Sequence, residues 1–338
     1  MKTVKLGMIG FGNVAKGFLE ALQQMDSFYK SEYGLEFVVT AVVSQRFGCV
    51  YNPQGLSLEK LIKAENLSQI KDVERKDWNA ISMIHQSESD AILELSSTNL
   101  VNGNPATLHI QEALMSGKNV VTSNKGPIAL NFDDLQKIAV QNNLKIGYEA
   151  AVMSGTPALM LGTDLLRHNG ILSAKGIFNG TCNYILTEME KGLEFDEALK
   201  LAQEYGYAET DPSGDVEGLD TAGKVAILSQ IIFNQNLTPD KFEFSGITKI
   251  SKKDIENGLK EQKRWKLIGE VKKVDQEIIA SVKAQLLPMS DPLANVMGAT
   301  NAIQYETKLL GKVTLVGAGA GRLETAAGIL QDLINIYK

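Results

Sequence analysis

The sequence predicts an α/β chain: a doubly wound parallel sheet domain followed by an α+β second domain. Three observations carry this reading. Short apolar strands alternate with helices of 3.6-residue spacing through the first half. A glycine-rich turn sits at the first strand–helix junction. Two runs with alternating character, KLIGEVKKV and EIIASVKAQLL within residues 265–287, read as strands of a separate sheet. At 338 residues the chain has room for two domains of roughly 100–200 residues each.

The first strand is 3–12, TVKLGMIGFG, and a helix follows with Val14, Phe18, Leu19, Leu22 and Met25 on one face. Between them lies Gly10-x-Gly12-x-x-Ala15, with Asn13 and Val14 opening the helix. The first glycine permits a tight turn and the second lets backbone approach a pyrophosphate. The small third residue lets the helix sit close to the strand. The helix N-terminus adds unpaired N–H groups and the positive end of its dipole. This is the Rossmann-type dinucleotide fingerprint in its expected context.

A second strand, 36–44, ends Ser44-Gln45-Arg46 with no acid to bond a ribose 2′-hydroxyl. A guanidinium there can pair with a 2′-phosphate, which favours NADP(H) over NAD(H); a solvated loop role for Arg46 is the alternative. Residues 90–95 and 118–122 are further strands, with Leu108, Ala113 and Leu114 marking the helix between them and Gly117 closing it. Ligands bind beyond the carboxyl ends of such strands. Ser96-Ser97-Thr98-Asn99 and Ser123-Asn124-Lys125-Gly126-Pro127 fall there, and Lys125, read as lying in a turn, is a candidate for chemistry.

Composition narrows the class. The hydrophobic fraction is 44% and the charged fraction 22%, as in a protein with a real core. The formal net charge is -6 with no Lys/Arg block, so nucleic acid and anionic membranes are poor partners and a small metabolite is the better one. The two cysteines, Cys49 and Cys182, and three histidines, His85, His109 and His168, lack metal-ligand spacing. No signal peptide or membrane span is apparent, so a reduced cytoplasmic protein is expected.

The middle of the chain is richest in chemistry. Residues 176–193, GIFNGTCNYILTEMEKGL, are a turn followed by a helix that Gly192 ends. A second helix, with Phe195, Ala198, Leu199 and Ala202 in register, closes at Gly206. Next comes the loop Glu209-Thr210-Asp211-Pro212-Ser213-Gly214-Asp215, then a helix starting near Gly218 with Asp220 and Lys224 one turn apart and an apolar face of Val225, Leu228, Ile231 and Ile232. An isolated i,i+4 pair on a surface helix is worth only ~0.3–0.5 kcal/mol and carries no function. Here acids accumulate before a helix start, the stretch ends in one lysine, and Gly and Pro shape the loop, which together suit a site for a cationic group.

Residues 206–224, Gly-Tyr-Ala-Glu-Thr-Asp-Pro-Ser-Gly-Asp-Val-Glu-Gly-Leu-Asp-Thr-Ala-Gly-Lys, closely resemble the signature of homoserine dehydrogenases. Asn179-Gly180-Thr181-Cys182-Asn183-Tyr184-Ile185, the Asn124-Lys125 pair, and Tyr148-Glu149-Ala150-Ala151-Val152 resemble the family's substrate turn, Asn-Lys motif and domain-junction strand. The resemblance runs from the first strand to the C-terminus.

The resemblance implies a Rossmann-type doubly wound parallel sheet domain over 1–150, completed by 312–338, and an α+β substrate-binding and dimerisation domain over 151–311. It implies NADP(H)-dependent interconversion of L-aspartate 4-semialdehyde and L-homoserine, a step of threonine, methionine and isoleucine biosynthesis, in a homodimer. Glu209, Asp215, Gly180 and Thr181 would bind substrate; Lys224, Lys125 and Asp220 would be catalytic. Gly10, Gly12, Asn13, Val14, Ala15, Arg46, Ser97, Thr98, Ser123, Lys125 and Gly319 would bind the cofactor, Gly319 from the tail Gly317-Ala318-Gly319-Ala320-Gly321. A monovalent cation such as Na+ would sit on Glu149, Val152, Ser154 and Thr156, with Met153 standing where relatives commonly carry Gly. Neither a fused aspartate kinase nor a C-terminal regulatory module is expected.

The chemistry suits these residue types. Hydride addition builds charge on the aldehyde oxygen, which an ammonium can stabilise and protonate. In the reverse direction a neutral lysine must accept the proton, favoured by desolvation or a second cation. An aspartate-semialdehyde dehydrogenase would instead need a cysteine nucleophile with a histidine base, and Cys182 has none nearby in sequence. A catalytically silent NADP-binding homologue is the other alternative, since fold alone does not set function. Arg46→Ala is expected to weaken NADPH binding on the order of 10-fold and leave NADH within about twofold, a loss near ~1.4 kcal/mol. Titration of cofactor fluorescence checks this; equal effects on both cofactors would remove the 2′-phosphate role.

Overall fold

The computed structural model describes residues 1–71 and 73–338, which form two compact units, 1–155 with 321–338 and 156–320. In the first unit the strands are β1 (Lys2–Ile9), β2 (Leu35–Ser44), β3 (Gly48–Tyr51), β4 (Glu74–Lys76), β5 (Ala91–Glu94), β6 (Asn119–Thr122) and β7 (Ile146–Gly147). They form one sheet in the order β4-β3-β2-β1-β5-β6-β7. The five strands from β2 to β7 in that order are parallel, while β3 and β4 add on antiparallel beyond β2. The chain winds one way from β1 to β2 and the other way from β1 to β5, so the switch point lies beyond the C-terminal ends of β1 and β5.

Why these segments become buried strands is visible in β1. From Leu6 to Ile9 both faces are covered, the pattern of a parallel strand between two helical layers. Met8 and Leu6 face a core with Phe18, Leu19, Leu22, Ile329 and Leu333. Ile9 faces the other, with Val43, Ile92, Ile110, Leu114 and Leu135. The hairpin from β2 to β3 departs from continuous parallel winding. Gly48, with φ +73°, completes a turn over 45–47 tight enough to reverse the chain, and exposed Arg46 sits in that turn.

Two sequence expectations change in this unit. Lys125 opens a short helix, Lys125–Leu130, because the Asn124 side chain caps it by accepting from Gly126 N–H at 3.1 Å. The junction strand ends at Gly147, and Ala150–Met153 is a helical turn.

The second unit holds an antiparallel sheet in the order β10-β9-β8-β11-β12: β8 (Ile171–Ile177), β9 (Lys263–Val274), β10 (Glu277–Pro288), β11 (Thr300–Thr307) and β12 (Gly311–Ala318). Residues 312–318 therefore lie in this sheet and not with the nucleotide half. Their ladder to β11 holds them there, and the Thr156 hydroxyl donates to the Ala318 carbonyl at 2.8 Å. Helix Leu219–Phe233 packs on β9 and β10 and is buried nearly all round from Thr221 to Ile232, wider than the single apolar face read from sequence. No helix among the described residues is long and apolar enough to cross a membrane.

The return of the chain to the first unit rests on one close approach. Helix Asn13–Tyr33 meets helix Arg322–Tyr337 at Gly17, where a Cβ would collide with the Arg322 carbonyl oxygen. Arg322 also pairs with Glu20 across the same contact. Gly17→Ala, which would otherwise favour a helix, is expected to destabilise the protein by about 1–3 kcal/mol through overpacking. Denaturant unfolding would show a lower midpoint with an unchanged slope; an unchanged midpoint would mean the helices separate at no cost.

Candidate functional site

In the first unit the residues singled out from sequence gather at the C-terminal ends of the parallel strands. Gly10 has φ +105°, and a Cβ there would lie 2.5 Å from the Leu95 carbonyl oxygen, so the turn after β1 presses against the chain leaving β5. Gly12 is the N-cap of the 21-residue helix, with extended backbone and no side chain bonded back to the helix amides. The space beside Gly12 is open, and the first turn carries no acid. Those amides and the dipole end they form are left for an anion. Ala15 is buried against the sheet while Asn13 is exposed and Val14 half-buried at the helix start. Ser97 and Thr98 are exposed after β5, and Ser123 and Lys125 are half-buried after β6. These groups fit a dinucleotide: backbone donors for its phosphates, hydroxyls beside the strand ends, and Arg46 beyond β2.

In the second unit a polar cluster forms where helix Leu219–Phe233 begins. Lys224, 8% exposed, donates to Asp220 Oδ2 at 2.8 Å and to the Phe178 carbonyl at 2.6 Å. An ammonium has three protons, so one N–H remains for a ligand. Asn179 joins the parts: its Nδ2 donates to Asp215 Oδ1 at 2.6 Å and to Asp220 Oδ2 at 3.0 Å. Its Oδ1 accepts from Cys182 N–H at 2.8 Å, capping helix Gly180–Glu190 and settling which way the amide faces. The sequence places Asn179 in the substrate turn but assigns it no role of its own. The signal that could have found it is Asn as the N-cap of the helix following β8, whose side chain must point back across the turn.

The other expected substrate residues divide. Gly180 is packed under the Ala299 carbonyl, where a Cβ would lie at 2.6 Å, and the Thr181 hydroxyl donates to the Tyr207 carbonyl at 2.6 Å. Glu209 is exposed in its loop and takes no part in the Asn179 network. Gly319 lies over Asn301, whose side chain a Cβ would collide with. Cys182 is fully buried; burial first, then the Asp215 and Asp220 charges, push its thiol well above the ordinary range, which removes it as a thiolate nucleophile.

For the expected cation loop, Glu149 and Val152 are buried and Ser154 takes φ +52°, unusual for a side chain other than glycine's. The Ser154 hydroxyl is buried with no hydrogen-bond partner among the described residues. Glu149 N–H donates to Asp332 Oδ2 at 2.9 Å, and burial together with the Glu149 charge pushes the Asp332 carboxyl well up.

The geometry can be set beside known proteins. The homoserine dehydrogenase family model matches residues 157–334, more than half of the chain. The NAD(+)-dependent homoserine dehydrogenase of Pseudomonas canavaninivorans is 40% identical, covering 100% of this chain and 97% of its own. The homoserine dehydrogenase of Methanocaldococcus jannaschii is also 40% identical, over 98% and 97%. The chain belongs to the homoserine dehydrogenase family. Among solved structures, a putative homoserine dehydrogenase from Archaeoglobus fulgidus aligns with a TM-score of 0.89 at 36% identity, covering 99% of each chain. A hyperthermophilic archaeal homoserine dehydrogenase in complex with NADPH aligns at 0.84 and 28% identity, over 99% and 98%. Membership makes the protein an NAD(P)-dependent oxidoreductase acting on an alcohol.

Two acids held by one amide are sensitive to that amide. Asn179→Ala uncaps the helix and leaves Asp215 and Asp220 without a shared donor, an expected cost of about 1–3 kcal/mol. Asn179→Asp keeps an acceptor for the cap but adds a third carboxylate, so it is expected to cost more at neutral pH. Its deficit should shrink as the pH falls through the carboxylate range, because the crowded group binds its proton more readily folded than unfolded. Denaturant melts of both variants at pH 7.5 and pH 4.5 check the order; an Asn179→Asp melt equal to wild type at both would remove the charge argument.

Proposed function

We propose that the protein interconverts L-aspartate 4-semialdehyde and L-homoserine with NADP(H) as the preferred cofactor and NAD(H) as the alternative, working as a homodimer. One observation carries this reading: a buried Lys224 ammonium anchored by Asp220 and the Phe178 carbonyl, with one N–H to spare and a second acid, Asp215, on the same amide. A nicotinamide cofactor, when bound, would supply or take the hydride. The residues of the chain do the rest.

In reduction, negative charge develops on the aldehyde oxygen. Lys224 donates a hydrogen bond to it, lowers the barrier because the donor is already oriented, and gives up the proton that makes the alcohol. In oxidation the same nitrogen takes the hydroxyl proton back. Asp220 and Asn179 hold the lysine, and Asp215, joined by Glu209, receives the substrate ammonium. Lys125, at the strand ends of the first unit, is the second lysine to which we assign a catalytic role. Gly180 and Thr181 shape the turn that bounds the substrate. Gly10, Gly12, Asn13, Val14, Ala15, Ser97, Thr98, Ser123 and Gly319 would contribute to holding the cofactor, and Arg46 would pair with its 2′-phosphate. Glu149, Val152 and Ser154 contribute to a monovalent cation site, for which the buried acids and orphan hydroxyl are the support.

NADPH absorbance followed with purified protein and aspartate 4-semialdehyde tests the reading, repeated with NADH. Rapid oxidation is expected, and Lys224→Ala should lower kcat on the order of 100-fold to 10,000-fold with NADPH affinity within about twofold of wild type. No oxidation by a wild-type protein that binds NADPH would overturn it.

A further inference from the structure

We infer that Glu94 is a positioning residue that fixes Lys125 by clamping Asn124 at two points. The inference rests on Lys125 belonging to the reaction site. Glu94 is the last residue of β5, in register with Ile9 of β1 and Thr122 of β6, and is 0% exposed. A carboxylate so deep survives only if its oxygens are used. Its Oε1 faces His109 Nδ1 at 3.3 Å and takes the Ser96 hydroxyl, and its Oε2 accepts from Asn124 Nδ2 at 3.2 Å. The Glu94 carbonyl accepts from the Thr122 hydroxyl at 2.8 Å, and that oxygen in turn accepts from Asn124 N–H at 2.9 Å.

Both the backbone and the side chain of Asn124 are thus referred to one residue at the end of β5. Asn124 also donates to the carbonyls of Ser96 and Ser97 at 3.2 Å each, and caps the helix that Lys125 opens. The chain after β5 and the chain after β6 are therefore set by the same buried group. His109, 8% exposed on helix Ala106–Met115, is the one ionisable partner of Glu94 among the described residues. Neither Glu94 nor His109 stood out in the sequence, because nothing local marks them.

A double-mutant cycle on the full-length protein tests this, with Glu94→Gln, Asn124→Ala and the pair. Glutamine keeps the shape and can satisfy both Asn124 and Ser96, so it removes charge more than packing. Glu94→Gln is expected to lower kcat on the order of 10-fold to 100-fold, the cost of displacing a group at the reacting atoms, with KM for the aldehyde within about threefold. If Glu94 acts through Asn124, the double variant is no worse than the poorer single one. Fold-changes that multiply, or a Glu94→Gln enzyme with wild-type kcat, overturn the inference. Should Glu94→Gln fail to fold, His109→Gln reads the same chain of contacts from its far end; wild-type kcat there overturns it as well. NADPH affinity by fluorescence is measured on all four proteins. If wild type shows no turnover, the functional reading has failed, and the coupling is judged from those affinities alone. If wild type turns over and both kcat and affinity changes multiply, only this inference has failed.

Discussion

The anchoring of Lys224 is the constraint on which the second unit's chemistry depends. A lysine buried to this degree needs acceptors, and it finds them on two different segments: Asp220 on its own helix and the carbonyl of Phe178 at the end of β8. The helix start, the turn after β8 and the acid loop must therefore meet at one place. Asn179 completes the meeting by donating to both acids. The shared amide gives each carboxylate a donor, and the Lys224 ammonium offsets the charge of Asp220. The same bonds that hold the fold together leave one N–H of the lysine directed by its partners rather than by its own flexible stem.

The first unit solves a different problem. A dinucleotide needs backbone donors at a helix start, and so the cradle is built from what is absent: no Cβ at Gly10 or Gly12, no acid in the first turn, no side chain capping the helix. Beneath it, Glu94 supplies a buried reference at the end of β5, from which the segments after β5 and β6 both take their positions. Precision in one unit comes from open backbone, and in the other from a crowded set of side chains.

How much could be read beforehand follows from the range of each interaction. Gly10-x-Gly12-x-x-Ala15 is legible because its turn and helix are consecutive in the chain. Asp220 and Lys224 lie one helical turn apart, and their contact follows from the helix period alone. Asn179 bonds to residues 36 and 41 positions away, and no local pattern announces that. The antiparallel pair β3 and β4 was likewise unread, since a short hairpin at a sheet edge leaves only a brief apolar trace. Gly17 looked like any helical glycine until helix Arg322–Tyr337 was seen to cross it.

The sequence by itself determined the class of fold, the family, the nucleotide turn and the lysine with its acid, because each is written in residues that are neighbours or one turn apart. Tertiary structure decided the rest: which amide bridges the two acids, where the chain leaves the second sheet, that helix Leu219–Phe233 is buried nearly all round, and that a glutamate at the end of β5 bonds to the loops beside Lys125. Those depend on chain segments brought together by closing long loops. The free energy that closes them is spread over the whole core, and no single stretch of sequence records it.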